Sequence, residues 1–282
     1  MSLVVAQATD EGPRIVSDTR VGFPDDRRPS LKTGTLKAVI VAPGVTVCFA
    51  GDVGAGLEGV RGFAREVDKG RAVAGLVPRL QELASDDRRP VEFVVARGGG
   101  GSQLTRIRNS GTERSLQSAW IGDQDAFERF QQERNMPRDS LQSALESKLP
   151  PAARIMHKLR LAMDAVINDP AIKSVDDFCV AVAHRPNGFE YLGSVFVHVG
   201  RDILVQSRDD LISKMAQSVE EGGYAVSVVV PAEPGTPALG LNFPRARMGM
   251  LYLPLEFDGA AVIWDVSPND FPRVPSNGLA WQ

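Results

Sequence analysis

The stretch Leu36–Asp68, LKAVIVAPGVTVCFAGDVGAGLEGVRGFAREVD, decides the fold. Two apolar runs, Leu36 to Val41 and Val45 to Ala50, flank Pro43-Gly44, a pair that supplies turn geometry. They predict a β-hairpin. Beyond Gly51-Asp52-Val53-Gly54 the apolar period changes. Leu57, Val60, Phe63, Ala64 and Val67 recur at spacings of three and four, which predicts an amphipathic helix to about Asp68.

The pattern extends in both directions. Upstream, Leu3 to Ala8 and Arg14 to Ser17 flank the turn Thr9-Asp10-Glu11-Gly12-Pro13 and read as another hairpin, and 21–35 is polar loop. Downstream, Ala72 to Ala84 reads as a helix that Pro78 would kink. Strands are expected at Val91 to Ala96, Gln103 to Arg108 and Arg114 to Ile121. Helices are expected at about 123–148, with Pro137 a point of breakage, and at 151–168, where Ile155, Leu159, Ala162, Met163 and Val166 share a face. Phe178 to Ala183 and Phe189 to Val199 read as strands around Pro186-Asn187-Gly188. A helix at 209–220, a β-rich segment at 224–265 and an irregular tail at 266–282 complete the chain.

Strands thus alternate with pairs of helices, and the strands come as hairpins rather than βαβ units. That predicts an α+β fold, a four-layer αββα sandwich with two antiparallel sheets between segregated helix layers. The expected organisation is a core over 1–206 and a C-terminal extension over 207–282 packed on it.

Composition narrows the function. The chain has 282 residues, 43% apolar and 24% charged, enough for a core without disulfide or metal staples. A net charge of −3 gives no reason to invoke nucleic acid, and Arg27-Arg28 and Arg88-Arg89 each lie beside an Asp pair. The start, Met1 to Ala6, has no basic region and no long apolar run, so neither a signal peptide nor a membrane span is expected, and a cytoplasmic location is. Cys48 and Cys179 sit in apolar runs and read as buried, inert thiols. His157, His184 and His198 are scattered, so no metal or other cofactor is implied. Gly98 to Ser102 lacks the Gly-Lys-Ser/Thr of a phosphate loop and reads as a turn, and Asp176-Asp177 reads as a polar lead into a strand.

Beyond pattern, the N-terminal residues resemble a known family. Ser17-Asp18-Thr19-Arg20 looks like the Ala/Ser-Asp-Thr/Ser-Arg segment of proteasome β-subunits and their bacterial relatives, and Asp18 stands 16 positions after Ser2, the spacing of that family's aspartate from its nucleophile. Leu36 to Val41 resembles the strand that carries the family's lysine, here Lys37, with Lys32 as a rival. Val47 to Gly54 resembles the Ala-Gly strand end leading into the first helix, and Ala119-Trp120-Ile121-Gly122 resembles the family's Ile-Gly turn. The match is close over about 2–68 and diffuse over 91–206, and 207–282 has no counterpart.

The resemblance implies a proteasome-like N-terminal-nucleophile (Ntn) hydrolase, a cytoplasmic homo-oligomer acting on peptide or amide bonds, with any ATPase partner unidentified. Ser2 would be the nucleophile once Met1 is removed. A hydroxyl needs a base, and an α-amine, with a pKa of about 7.7–8, is partly neutral near pH 7. Lys37 would stabilise the developing charge, Asp18 would hold Lys37, and the Gly51 N–H would donate to the oxyanion. Asp123 and Asp169 stand near the family's supporting residues. The sequence departs from the family in having serine for threonine, and Ile172 or Lys173 where a supporting serine would fall.

Each residue also has a plain structural reading. Ser2 is common after Met1 for processing reasons, Asp18 would satisfy backbone donors at a strand end, Lys37 would sit at an edge strand, and Gly51 would serve a close backbone approach. The alternative function is a catalytically inactive protein of the same fold with an assembly or partner-binding role. A third is an Ntn amidohydrolase for small amides.

Overall fold

The computed structural model describes residues 2–19, 35–99, 103–137, 146–175, 179–192, 194–198, 225–231, 239–243, 248–252 and 261–264. Lys32, Gly100 to Ser102, Asp176-Asp177, the helix expected at 209–220 and the tail 266–282 lie outside them.

Strands β1 (Leu3–Gln7) and β2 (Arg14–Ser17) form the first hairpin, and β3 (Ala38–Ala42) and β4 (Val45–Gly51) the second. Helix α1 (Val53–Asp68), a 3-10 turn (Val73–Gly75) and α2 (Val77–Ala84) precede β5 (Val91–Arg97), β6 (Gln103–Arg108), β7 (Gly111–Leu116) and β8 (Ser118–Gly122). Helices α3 (Gln124–Asn135) and α4 (Pro151–Ile167) lead to the hairpin β9 (Val180–Arg185) and β10 (Gly188–Tyr191). The described C-terminal strands are β11 (Ser194–His198), β12 (Ala225–Pro231), β13 (Leu239–Phe243), β14 (Met248–Tyr252) and β15 (Ala261–Trp264).

These strands form three five-stranded sheets, ordered β10-β9-β2-β1-β8, β3-β4-β5-β6-β7 and β11-β12-β13-β14-β15. Every pairing is antiparallel. The fold is α+β. The first two sheets face one another, with β8 against β4, β5 and β6. Helices α1 and α2 pack on β3 to β6, while α3 and α4 pack together and α4 covers β2.

Side-chain alternation explains this stacking. Val4 and Ala6 join the core between the sheets, whereas Leu3 and Val5 point into the core beneath α3 and α4. The central strands β1, β2 and β9 are buried on both faces, so a one-residue slip would exchange the two cores. The phenol O–H of Tyr191 on β10 donates to the Ala38 carbonyl on β3 at 2.9 Å, tying the sheets at one side. Helix α1 is capped by Asp52, whose carboxylate accepts the Ala55 N–H at 2.7 Å, and its face buries Leu57, Val60 and Phe63. Burying each such side chain contributes roughly 1.5–3 kcal/mol.

Three expectations change in detail. Pro78 does not kink a helix; it lies in the first turn of α2, where its missing N–H has no partner to lose. The single strand expected over Arg114–Ile121 is two: β7 belongs to one sheet and β8 to the other, and Ser115, at φ 56, sits where β7 shifts register against β6, just before the chain crosses. Helix α3, by contrast, ends at Asn135, at the break expected from Pro137, because the residue before a proline disfavours helical backbone. The strand expected over Phe189–Val199 also divides: β10 pairs with β9, whereas β11 pairs with β12.

Candidate active site

Five strand ends converge at one end of the two facing sheets. Ser2 leads into β1, Asp18 follows β2, Lys37 precedes β3, Gly51 closes β4, and Gly122 closes β8. The first hairpin brings Asp18 back beside the chain start, where its N–H donates to the Leu3 carbonyl at 3.3 Å.

The peptide unit joining Ser2 to Leu3 is held from both sides. Its carbonyl accepts the Asp123 N–H at 2.8 Å, and its N–H donates to Asp18 Oδ1 at 3.0 Å. The second Asp18 oxygen accepts from Lys37 Nζ at 2.7 Å. Asp18 and Lys37 are sealed from solvent, and Ser2 is 4% exposed. A buried ion pair of this kind carries a large desolvation cost that only close geometry and additional hydrogen bonds offset. Burial pushes the Asp18 carboxyl up from its ordinary value, while the Lys37 ammonium and the Leu3 N–H pull it back. The hydroxyls of Ser17 and Thr19, on either side of Asp18, are buried without a hydrogen-bond partner among the described residues.

Two glycines make the close approach possible. Gly51 has φ +109, and a Cβ there would overlap the Pro90 carbonyl oxygen. Gly122 has φ +106, and a Cβ there would overlap the Ser2 carbonyl oxygen. Both positions exclude any side chain on steric and conformational grounds. A pocket of about 270 Å³ opens beside Ser2, walled by Ala50, Gly51, Pro90, Glu92 and Gly122.

The six residues singled out in the sequence therefore divide. Ser2, Asp18 and Lys37 form one connected group, and Gly51 lines the same pocket as Ser2. Asp123 reaches Ser2 through its backbone, because its carboxylate caps α3 by accepting the Ala126 N–H at 2.9 Å. Asp169 is engaged elsewhere: its carboxylate accepts from the Ala171 N–H and from Arg129 Nε at 2.7 Å, and both bonds hold its pKa below the ordinary value. No hydrogen bond joins it to Ser2, Asp18 or Lys37 among the described residues.

Sequence reasoning missed Glu92, which lines the same pocket as Ser2 and accepts the Gly122 N–H at 2.9 Å. The signal was present, since Glu92 is the one charged residue in the run Val91 to Ala96. Among the described residues no group of three or more His, Cys, Asp or Glu side chains gathers to hold a metal ion, and no helix is long and apolar enough to cross a membrane. Neither a family model nor a curated protein matches the chain.

Proposed function

We propose that this protein is a proteasome-like Ntn hydrolase that cleaves peptide or amide bonds with Ser2 as nucleophile after Met1 is removed. The observation that carries the reading is the buried Asp18–Lys37 pair linked through Asp18 to the Leu3 N–H, immediately beside Ser2. A sealed lysine and aspartate are costly as mere structure. As catalytic parts, Lys37 would lend its positive charge to a developing alkoxide and Asp18 would fix the backbone of the residue that bears it.

In this mechanism the free α-amine of Ser2 takes the hydroxyl proton, and the Ser2 oxygen attacks the substrate carbonyl. The Gly51 N–H stabilises the resulting oxyanion. The amine then returns the proton to the leaving nitrogen, which departs as the amide C–N bond breaks and leaves an acyl ester on Ser2. Water, deprotonated by the same amine, hydrolyses that ester and restores the site. The fold supports the reading in its antiparallel facing sheets flanked by helix pairs, compatible with the αββα sandwich of such enzymes. Removing the hydroxyl tests it: Ser2→Ala abolishes amide turnover while the circular dichroism spectrum stays unchanged. Equal turnover by the variant would refute the assignment.

One observation favours the second reading, an inactive protein of the same fold that serves assembly or partner binding. Asp169 and Asp123 spend their carboxylates on Arg129 and the α3 cap rather than on Ser2.

A further inference from the structure

Strand β8 is an edge of its sheet. Its hydrogen bonds to β1 fall on alternate pairs, including Asp123 N–H to the Ser2 carbonyl and Ala8 N–H to the Gln117 carbonyl. Trp120 and Gly122, opposite Val5 and Leu3, therefore turn their backbone polar groups away from β1. Such an outward edge ordinarily takes water or another strand.

Here two side chains of the facing sheet occupy it. Glu92 Oε2 accepts the Gly122 N–H at 2.9 Å, and Arg108 Nη2 donates to the Trp120 carbonyl at 3.1 Å. The two side chains also hold each other. Arg108 Nε lies 3.0 Å from Glu92 Oε1, an ion pair without a well-aimed hydrogen bond, and its guanidinium stands 4.4 Å from the Trp120 ring centre.

We infer that Glu92, backed by Arg108, is a positioning residue for Ser2. The chain of contacts is short. Glu92 fixes the Gly122 N–H; Gly122 lies against the Ser2 carbonyl so closely that no Cβ fits; and the next N–H, of Asp123, bonds that carbonyl. Asp18 holds the other side of the same peptide unit. Glu92 and Asp18 thus clamp the Ser2–Leu3 peptide from opposite directions, one through β8 and one directly. Reacting groups misplaced by about 1 Å can lose up to about 100-fold in rate. Untethering β8 at Gly122 loosens one half of that clamp.

The effect on reactivity rests on the proposed role of Ser2; the effect on the backbone does not. The test accordingly reads both in Glu92→Ala and Glu92→Gln, since glutamine retains an oxygen that accepts the Gly122 N–H. The first readout is the rate of Ser2 labelling by a β-lactone, and the second is amide hydrogen exchange over 2–7 and 118–124. Glu92→Ala slows labelling by about tenfold or more and speeds exchange in both segments, and Glu92→Gln restores both. If Glu92→Ala does not fold, Glu92→Asp, one methylene short of Gly122, replaces it and behaves as the alanine variant would. Wild-type exchange and labelling in Glu92→Ala overturn the inference, as does failure of Glu92→Gln to rescue. Altered exchange with no labelling even of the wild type retains the clamp and refutes the hydrolase reading instead.

Discussion

Lys37 Nζ stands 2.7 Å from Asp18 Oδ2 with both side chains withdrawn from water, and the other Asp18 oxygen holds the Leu3 N–H. Removing one member leaves the other charged and buried, which costs about 3–5 kcal/mol. Lys37→Met is therefore expected to lower unfolding stability by about that amount. The double variant Asp18→Asn/Lys37→Met should lose less than the sum of the two single losses, since neither charge then remains uncompensated. Urea unfolding of the four proteins measures the coupling, and strict additivity would contradict a tight pair.

Gly122→Ala is expected to destabilise by about 1–3 kcal/mol, the usual cost of a side chain held in unfavourable backbone. Its φ of +106 and the overlap of a Cβ with the Ser2 carbonyl act together. The substitution should also move Ser2, so labelling of the still-folded protein slows. Thermal melts combined with labelling at a temperature below the transition check both effects.

Asp164, on α4, gives a pH dependence with a definite sign. Burial pushes its carboxyl from 3.8 up to about 6, with Arg160 pulling it back. The folded chain then binds that proton more tightly than the unfolded chain. Stability from this group is fully present below about pH 4 and declines as pH rises through about 6. Asp164→Asn should accordingly stabilise by roughly 1–2 kcal/mol above pH 6 and have little effect near pH 4, allowing for residual exposure. Unfolding measured across that range tests it, and a gain that does not grow with pH would contradict the assignment.

Cys48 and Cys179 are both buried free thiols, and burial raises their pKa well above the ordinary range. The thiolate is the reactive form. Neither should react with a thiol reagent in the native protein, and both should react once urea unfolds it. Rapid native labelling of either would show that its core opens.

What the sequence made legible was local. The hairpins around Thr9-Pro13 and Pro43-Gly44 and the helix after Asp52 follow from apolar runs, turn residues and a three-four period that lie within a few positions of one another. The passage from β7 to β8 was not legible, because no residue in Arg114–Ile121 marks where the chain leaves one sheet for another, and Ser115 adopts a positive φ without being glycine. Pro78 fits both a kink and a first turn, and only the start of α2 at Val77 decides between them. At the site, the Asp18–Lys37 contact was anticipated from a family resemblance rather than from pattern. Glu92 escaped notice because its partner, the Gly122 N–H, is thirty residues away in another sheet. Asp169 likewise enters only through its place near the family's supporting residues, and its pairing with Arg129 is a long-range fact that spacing does not encode.

The most direct test of the central claim is the intact mass of the purified protein before and after exposure to a β-lactone or epoxyketone. The account predicts loss of Met1 and a single adduct, with no adduct on Ser2→Ala. Retention of Met1, or a processed chain that never takes the label, would contradict it and leave the inactive, partner-binding protein as the reading that stands.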